Sequence, residues 1–208
     1  MKCNYLYYIV LLLLFNVITY AQEKVEVPTI RQPLNQNDNL PEGWLKGGDQ
    51  PQDYTVGLDR SLGYVSSSSA YITSRVFKPV GYATLQQRIQ ADNYKGDRIE
   101  FSGYVLTKLV EFWSGLFMKV EDSYGRVLAY DNMENRPVVG TSDWQKCSIV
   151  LDVPKDASTI TYGAVLSGKG QINVDSLSLK VVNNTVPVTD LTGQQTKKYY
   201  PENMDFEK

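Results

Sequence analysis

The stretch from Trp144 to Val182 reads WQKCSIVLDVPKDASTITYGAVLSGKGQINVDSLSLKVV. It contains three runs in which apolar and polar residues alternate, at 144–154, 159–168 and 171–182. Side chains alternate between the two faces of a β-strand, so each run predicts a strand with one buried face. Pro154 predicts the end of the first strand, because proline has no N–H to donate to a neighbouring strand.

Three further runs, at 82–90, 97–107 and 112–122, have the same alternation. They are separated by short polar segments such as EDSYGRV (121–127), where Gly125 suits a turn. Strands of this length joined by frequent turns are typical of an all-β sandwich or barrel. We predict an all-β fold, a β-sandwich of two antiparallel sheets.

The first 21 residues have the pattern of a secretory signal peptide. Lys2 precedes the apolar run IVLLLLF (9–15), and small residues stand before Gln22. The run is shorter than the ~20 residues that a membrane span needs. We therefore expect an exported protein, periplasmic, cell-surface or extracellular, with no membrane span in the mature chain.

Composition excludes several kinds of site. The 208 residues include no histidine and carry a formal charge of -2. A Ser-His-Asp triad and a histidine-ligated zinc are therefore excluded, and nothing favours nucleic acid as a partner. After residue 21 the single cysteine is Cys147, on the apolar side of its run, where we expect a buried, inert thiol.

Three stretches resemble carbohydrate-binding modules of the galactose-binding-like jelly-roll superfamily: LPEGW (40–44), YKGDRIEFSGYV (94–105) and Trp144–Val182. The resemblance implies a jelly-roll sandwich and a binding role beside secreted hydrolases. The resemblance covers a jelly-roll sandwich at 33–182, and NMDFE in the tail, 201–208, resembles the start of another module. Pattern and composition add the signal peptide 1–21, a surface leader 22–32 and a linker 183–200.

The same modules often hold a structural calcium between an early Glu and a late Asp. The resemblance implies Asp175 as the late ligand, whereas Asn35 stands where the Glu would align. Calcium takes six to eight oxygen ligands, so one placed carboxylate is a weak start. No cofactor is certain, and a structural calcium at Asp175 is the single metal that the sequence suggests.

The polar faces of the runs 82–90, 97–107 and 112–122 carry the candidate binding residues. If these strands are neighbours, one exposed face collects Gln86, Arg88, Tyr104, Trp113, Phe117 and Lys119. Large aromatic side chains seldom cluster in water without a partner. Sugars need flat apolar surfaces together with amide and charged groups. The alternative is that a loop, such as 128–144, covers Trp113 and Phe117.

The loop in LAYDNMENRPVVGTSDW (128–144) is open to two interpretations. In one it is a self-satisfied turn in which Arg136 pairs with Asp131 or Glu134. In the other, Asn132 and Arg136 reach over the rim of the aromatic face toward a ligand. A catalytic pair of Asp131 and Glu134 is the weakest reading, because nothing else supports catalysis.

These observations favour an exported, non-catalytic module that binds a carbohydrate or glycan surface through one sheet face and its rim loop. We predict no catalytic residues. The alternative is a module that contacts another protein or domain without binding sugar, for example the N-terminal accessory part of a larger secreted hydrolase.

Overall fold

The computed structural model describes residues 39–192. The predicted signal peptide 1–21, leader 22–32 and tail 201–208 lie outside the described residues. Within them, the helices are two three-residue 3₁₀ turns, Pro51–Asp53 and Asp92–Tyr94. No helix in this part of the chain is long and apolar enough to cross a membrane. The strands are β1 Leu45–Gly48, β2 Tyr54–Asp59, β3 Ser69–Ser74, β4 Tyr82–Gln90, β5 Arg98–Val110, β6 Trp113–Asp122, β7 Val127–Asp131, β8 Gly140–Asp152, β9 Ala157–Ser167 and β10 Gln171–Val182.

The ten strands form two five-stranded sheets. Sheet A has the order β1-β4-β9-β6-β7, and sheet B has the order β2-β3-β10-β5-β8. Every pairing between neighbouring strands is antiparallel. The predicted all-β sandwich of two antiparallel sheets is therefore confirmed. The predicted boundaries of β4 and β10 agree with the structure, whereas β1 and β2 have no counterpart among the predicted strands.

The core lies between the inner faces of the two sheets. Alternating positions of β9 show how the sequence builds it, since Ile160, Ala164 and Leu166 are buried against the opposite sheet. Burying one such aliphatic side chain stabilises the fold by roughly 1.5–3 kcal/mol. The largest fully buried side chains come from both sheets: Tyr54, Phe101, Ile72, Leu85, Ile99, Leu116, Met118, Ile149, Leu151, Ile160, Leu166 and Ile172.

The strand order corrects the prediction that three consecutive strands are neighbours. In sheet A, β4 and β6 both pair with β9, which comes much later in the chain. β5 lies in sheet B, between β10 and β8. The prediction was wrong, since none of β4, β5 and β6 pairs with another of the three. Alternation shows which face of a strand is buried but not which strand pairs with it.

Residues 183–192, the start of the predicted linker, lie against the sandwich. Arg98 Nη1 donates to the carbonyl oxygen of Asn184 at 2.6 Å. Further along, the Thr189 N–H donates to the Val150 carbonyl at 2.8 Å, and the Leu191 N–H donates to the Tyr130 carbonyl at 2.7 Å. This segment therefore follows the edge of β8 and then the edge of β7, although it forms no strand of its own.

Gly163 stands where a side chain would collide with a neighbouring strand of sheet A. It is paired with Gln86 of β4 and with Phe117 of β6. A Cβ atom at this position would overlap the carbonyl oxygen of Leu85, a backbone atom that cannot move without distorting β4. The pairing of β4 with β9 at this point thus requires a glycine.

We predict that Gly163→Ala lowers the free energy of unfolding by about 3 kcal/mol, the scale of an overpacked site. The control is Gly125→Ala, since Gly125 has φ 78° but nothing within 4 Å of an added Cβ. It should cost about 1 kcal/mol, for backbone conformation alone. Urea unfolding measures both values, and equal losses would contradict the collision with the Leu85 carbonyl.

Candidate functional site

The outer face of sheet A forms an open groove with a volume of about 820 Å³. Crossing its floor from β4 to β7 takes three strand spacings, about 14 Å. We call it the sheet A groove. It is lined by Gly48, Tyr82, Thr84, Gln86, Arg88, Trp113, Phe117, Lys119, Glu121, Val127, Tyr130, Asn132, Glu134, Thr161, Val165, Leu191 and Thr192.

Strand register places the groove residues in rows across the sheet. One row runs from Gln86 over Gly163 to Phe117, so the floor has no side chain at its centre. Another row runs from Arg88 over Thr161 to Lys119 and Tyr130. Polar groups therefore stand on both sides of a shallow central depression.

The charges of the groove are balanced, and each charged side chain has a bonding partner. Lys119 Nζ lies 3.0 Å from Glu121 Oε1. Arg88 Nη2 donates to the hydroxyl of Thr159 at 3.2 Å, and Asn132 Nδ2 donates to Glu134 Oε2 at 3.2 Å. With two cations and two carboxylates, the groove has no net charge from these side chains and presents many hydrogen-bonding groups.

Tyr130 supplies a neutral hydroxyl to the groove. Burial raises the pKa of Tyr130 to about 12, and a hydrogen bond with Asn132 opposes a part of that rise. The phenol therefore stays protonated at neutral pH, where it can both donate and accept a hydrogen bond.

The aromatic residues of the groove differ in accessibility. Tyr82 is 38% exposed, whereas Phe117 is only 7% exposed. Trp113 is half-buried, and within residues 39–192 its indole nitrogen is the single buried side-chain N or O atom without a hydrogen-bond partner. Phe117 is thus covered, while Tyr82 and Trp113 are partly accessible.

The structure brings together six of the eight residues that the sequence suggested for ligand binding. Gln86 and Arg88 reach the groove from β4, and Asn132 reaches it from the loop after β7. Trp113, Phe117 and Lys119 reach it from β6. Their role in binding stays a prediction, because a place in the lining of a groove does not establish that a residue binds a ligand.

Tyr104 does not belong to this group. It lies on β5 in sheet B, where its ring stacks on Tyr64 with ring centroids 3.5 Å apart and an interplanar angle of 14°. The error follows from the assumption that β5 neighbours β4 and β6. On the outer face of sheet B, the ring of Tyr104 instead packs against the loop that contains Tyr64.

Arg136 also points away from the groove. Its Nη2 donates to Asp131 Oδ2 at 2.6 Å, its Nη1 to Asp131 Oδ1 at 3.1 Å, and Nη2 also to the Ser148 carbonyl of β8 at 3.1 Å. Asp131 is fully buried and accepts the Met133 N–H at 2.8 Å as well. For Arg136 the first interpretation is therefore correct, because this side chain pairs with Asp131 inside the loop. Asn132 and Glu134 nevertheless line the groove.

Sequence reasoning missed several groove residues for three different reasons. Tyr82 and Thr84 share the polar face of β4 with Gln86, so the alternation along this strand could have identified them. Thr161 and Val165 depend on β9 lying between β4 and β6, which no local pattern reveals. Leu191 and Thr192 lie in a segment that has no periodic pattern at all.

Asp175 has the surroundings of a loop anchor. Its Oδ2 accepts the N–H groups of Tyr64 at 2.7 Å and Val65 at 3.2 Å, and its Oδ1 accepts the Ser176 N–H at 2.6 Å. In the described part of the chain, no three or more Asp, Glu, His or Cys side chains come together as metal ligands. Both carboxylate oxygens of Asp175 are thus occupied by backbone N–H groups. The calcium stays a prediction, and Asn35 lies outside the described residues.

Cys147 is buried in the core, as its place in the run predicts. Burial raises the pKa of its thiol to about 11, and the nearby Arg136 guanidinium opposes this only in part. At neutral pH almost no thiolate forms, so the residue lacks the character of a nucleophile.

Solved structures of low sequence identity have the same architecture. The CBM22-1 xylan-binding domain of Paenibacillus barcinonensis Xyn10C matches with a TM-score of 0.50 and 19% identity, covering 70% of this chain and 90% of that domain. The chain has the jelly-roll β-sandwich fold of this domain. The enzymatically active domain of bacteriophage CBA120 tailspike protein 4 matches with a TM-score of 0.51 and 15% identity, covering 68% of this chain and 20% of that one. Because identities are this low, the likeness establishes the jelly-roll fold alone.

A curated relative is closer in sequence. An uncharacterized HTH-type transcriptional regulator of Bacillus subtilis (strain 168), YbfP, is 36% identical over 166 residues, 79% of this chain. The match spans 56% of the length of that relative. No protein-family model matches the chain.

We predict that Arg136→Ala lowers the free energy of unfolding by about 3 kcal/mol, because it leaves the buried Asp131 carboxylate without its partner. The control is Lys180→Ala, which breaks a pair with Glu100 whose lysine is 57% exposed. An exposed pair of this kind contributes less than about 1 kcal/mol. Chemical denaturation compares the two variants, and a loss for Arg136→Ala no larger than that for Lys180→Ala would contradict the buried pair.

Proposed function

We propose that this protein is an exported, non-catalytic module that binds carbohydrate in the sheet A groove. The observation that carries the proposal is the groove itself, an open depression of about 820 Å³ with accessible aromatic rings among neutral and paired polar groups. That volume lies within the range of small-molecule sites. A row of sugar rings presents flat C–H faces and a rim of hydroxyls, which suit such a surface.

The lining matches a sugar better than it matches a protein partner. Tyr82 and Trp113 supply flat apolar surface at one end of the groove, where both are paired with Ser167 of β9. Gln86, Thr161 and Tyr130 supply neutral donors and acceptors along the floor. Each sugar hydroxyl can both donate and accept a hydrogen bond, so a sugar site needs acceptors as well as donors. The absence of net charge among the groove side chains favours a neutral saccharide over an anionic one.

The proposal that the groove is non-catalytic rests on the partners of its carboxylates. Glycosidases use a pair of carboxyl groups placed on either side of the glycosidic bond. In the groove, Glu121 Oε1 lies 3.0 Å from Lys119 Nζ, and Glu134 Oε2 accepts a hydrogen bond from Asn132 Nδ2 at 3.2 Å. Asp131 is buried behind the groove and bound to Arg136.

The test is a glycan-array screen of the purified protein, followed by calorimetric titration of the saccharides that bind. We predict that Tyr82→Ala and Trp113→Ala each weaken affinity at least about tenfold, equivalent to about 1.4 kcal/mol. Tyr104→Ala is the matched control, because it removes an aromatic ring from the opposite sheet. It should leave affinity unchanged.

Folding of every variant is checked by its melting temperature, so that loss of binding is not confused with loss of structure. A wild-type protein that is folded but binds no glycan would overturn the proposal in favour of a protein-contact module. An equal loss for Tyr104→Ala would move the site to sheet B.

A second candidate function is supported by the curated relative. Its 166-residue match must include most of the sandwich, and it is named as an HTH-type transcriptional regulator. The described residues contain strands and two 3₁₀ turns, with no pair of helices for DNA. In this second candidate, the sandwich would be the ligand-binding part of a longer regulator. Both candidates use the same groove, and they differ in cellular compartment.

Export separates the two candidates. We predict that residues 1–30 fused to alkaline phosphatase, which is active only after export, give phosphatase activity in a bacterial host. Leu12→Arg should abolish that activity by placing a charge within the apolar run, whereas Asn4→Arg, outside the run, should retain it. An inactive wild-type fusion that is nevertheless expressed would reject export and favour the regulator.

A further inference from the structure

We propose that residues 183–192 form a wall of the saccharide groove, and that docking of this segment and binding of the saccharide stabilise each other. The inference rests on the proposed function, since it concerns the same groove. It gives residues beyond the last strand of the sandwich a positioning role in ligand binding.

The end of the segment contributes directly to the groove. Leu191 and Thr192 are both among its lining residues, beside Tyr130 of β7. The Leu191 N–H donates to the Tyr130 carbonyl at 2.7 Å, and the Tyr130 N–H donates to Asp190 Oδ1 at 3.0 Å. Both backbone groups of Tyr130 are therefore held by the segment, and the Tyr130 side chain lies on the groove floor next to it.

Asp190 organises this contact. Besides the Tyr130 N–H, its Oδ1 accepts the Thr192 N–H at 3.0 Å and the Thr192 hydroxyl at 2.8 Å. One carboxylate thus fixes the turn that presents Leu191 and Thr192 and ties that turn to the edge of sheet A. Removing the carboxylate would leave the turn attached through the Leu191 N–H alone at this point.

Two earlier contacts hold the segment against the second sheet. Arg98 Nη1 donates to the carbonyl oxygens of Asn184 and Val186. Thr189 exchanges bonds with Val150 of β8, since its N–H donates to the Val150 carbonyl and its hydroxyl accepts the Val150 N–H at 3.0 Å. β8 and β7 are the outermost strands of sheets B and A, so the segment covers one edge of each.

The segment is held by hydrogen bonds more than by burial. No residue from 183 to 192 is buried, although several are partly covered. Segments with little buried apolar surface open at low free energy while the rest of the domain stays folded. A ligand that contacts Leu191 and Thr192 binds the docked form better than the open form. By linkage, the ligand then favours docking by the same factor by which docking favours the ligand.

The test compares Asp190→Ala with Asp59→Ala in the full chain. Asp59 makes the same kind of turn, with its Oδ1 accepting the Ser61 N–H at 2.9 Å and the Ser61 hydroxyl at 2.8 Å. It lies at the end of β2 in sheet B and does not line the groove. The probe is the array glycan with the highest affinity for the wild type, with xylohexaose titrated alongside it.

We expect Asp190→Ala to weaken saccharide affinity about fivefold or more and Asp59→Ala to leave it unchanged, with equal melting temperatures for both. Leu191→Ala should weaken affinity as well. In hydrogen-exchange mass spectrometry, the saccharide should slow exchange of the amides of residues 189–192 in the wild type. That protection should be reduced in Asp190→Ala, which a merely structural role for Asp190 would not produce.

The outcomes separate this inference from the proposed function. Wild-type binding that is equal in Asp190→Ala, with no ligand-dependent protection of residues 189–192, would overturn the role of the segment and leave the groove as the saccharide site. A folded wild type that binds no array glycan would overturn both. Weaker binding by Asp59→Ala equal to that by Asp190→Ala would also overturn the inference, because the effect would then be general.

Discussion

The ion pair between Asp131 and Arg136 connects the two sheets and sets the geometry of the groove rim. Asp131 ends β7 in sheet A with no exposed surface, and Arg136 joins it to the Ser148 carbonyl in sheet B. A buried carboxylate needs such a partner, because an unpaired charge away from water is very costly. Once both ends of the loop are held in this way, Asn132 is directed toward the groove. The candidate residues of this loop thus divide into two groups. Asp131 and Arg136 form an ion pair between the sheets, and Asn132 lines the groove.

The floor of the groove depends on a second constraint, the position of β9 between β4 and β6. Gly163 avoids a collision with the Leu85 carbonyl of β4, and it leaves the centre of the floor without a side chain. The residues on either side of that depression, Gln86 and Phe117, come from strands that are separated by β5 in sequence. The depression is therefore a property of the strand order and of one missing side chain together.

Alternation along each strand allowed the fold class to be predicted, together with the outward direction of Gln86 and Arg88. It could do so because the period of two is a local property of the extended chain. Tyr104 was misplaced for the complementary reason. Its direction away from the core was right, but two sheets have two outer faces, and the choice between them depends on hydrogen bonds with strands distant in sequence. The same limit hid Thr161 and Val165, whose strand had been predicted.

The loop and the C-terminal segment show a further limit of pattern reading. The acidic and amide residues of 131–136 were recognisable as a turn, but the destination of Arg136 depended on the buried carboxylate that it meets in the fold. Residues 183–192 lack periodicity, since they pair with strand edges through single backbone bonds and the side chain of Asp190. Their polar composition made them resemble a linker. Polar residues that bond to the backbone groups of an edge strand cannot be told by composition from polar residues that stay in solvent.

Covering the strand edges and building the groove wall are consequences of one arrangement. An exposed edge presents unpaired N–H and C=O groups that invite another chain to pair with it. The backbone of Tyr130 in β7 and of Val150 in β8 would be in that position without the bonds to Leu191, Asp190 and Thr189. The segment that satisfies these groups must run beside β7, and β7 borders the groove. A chain that leaves the sandwich along this edge therefore contributes side chains to the groove as a result of protecting the sheet.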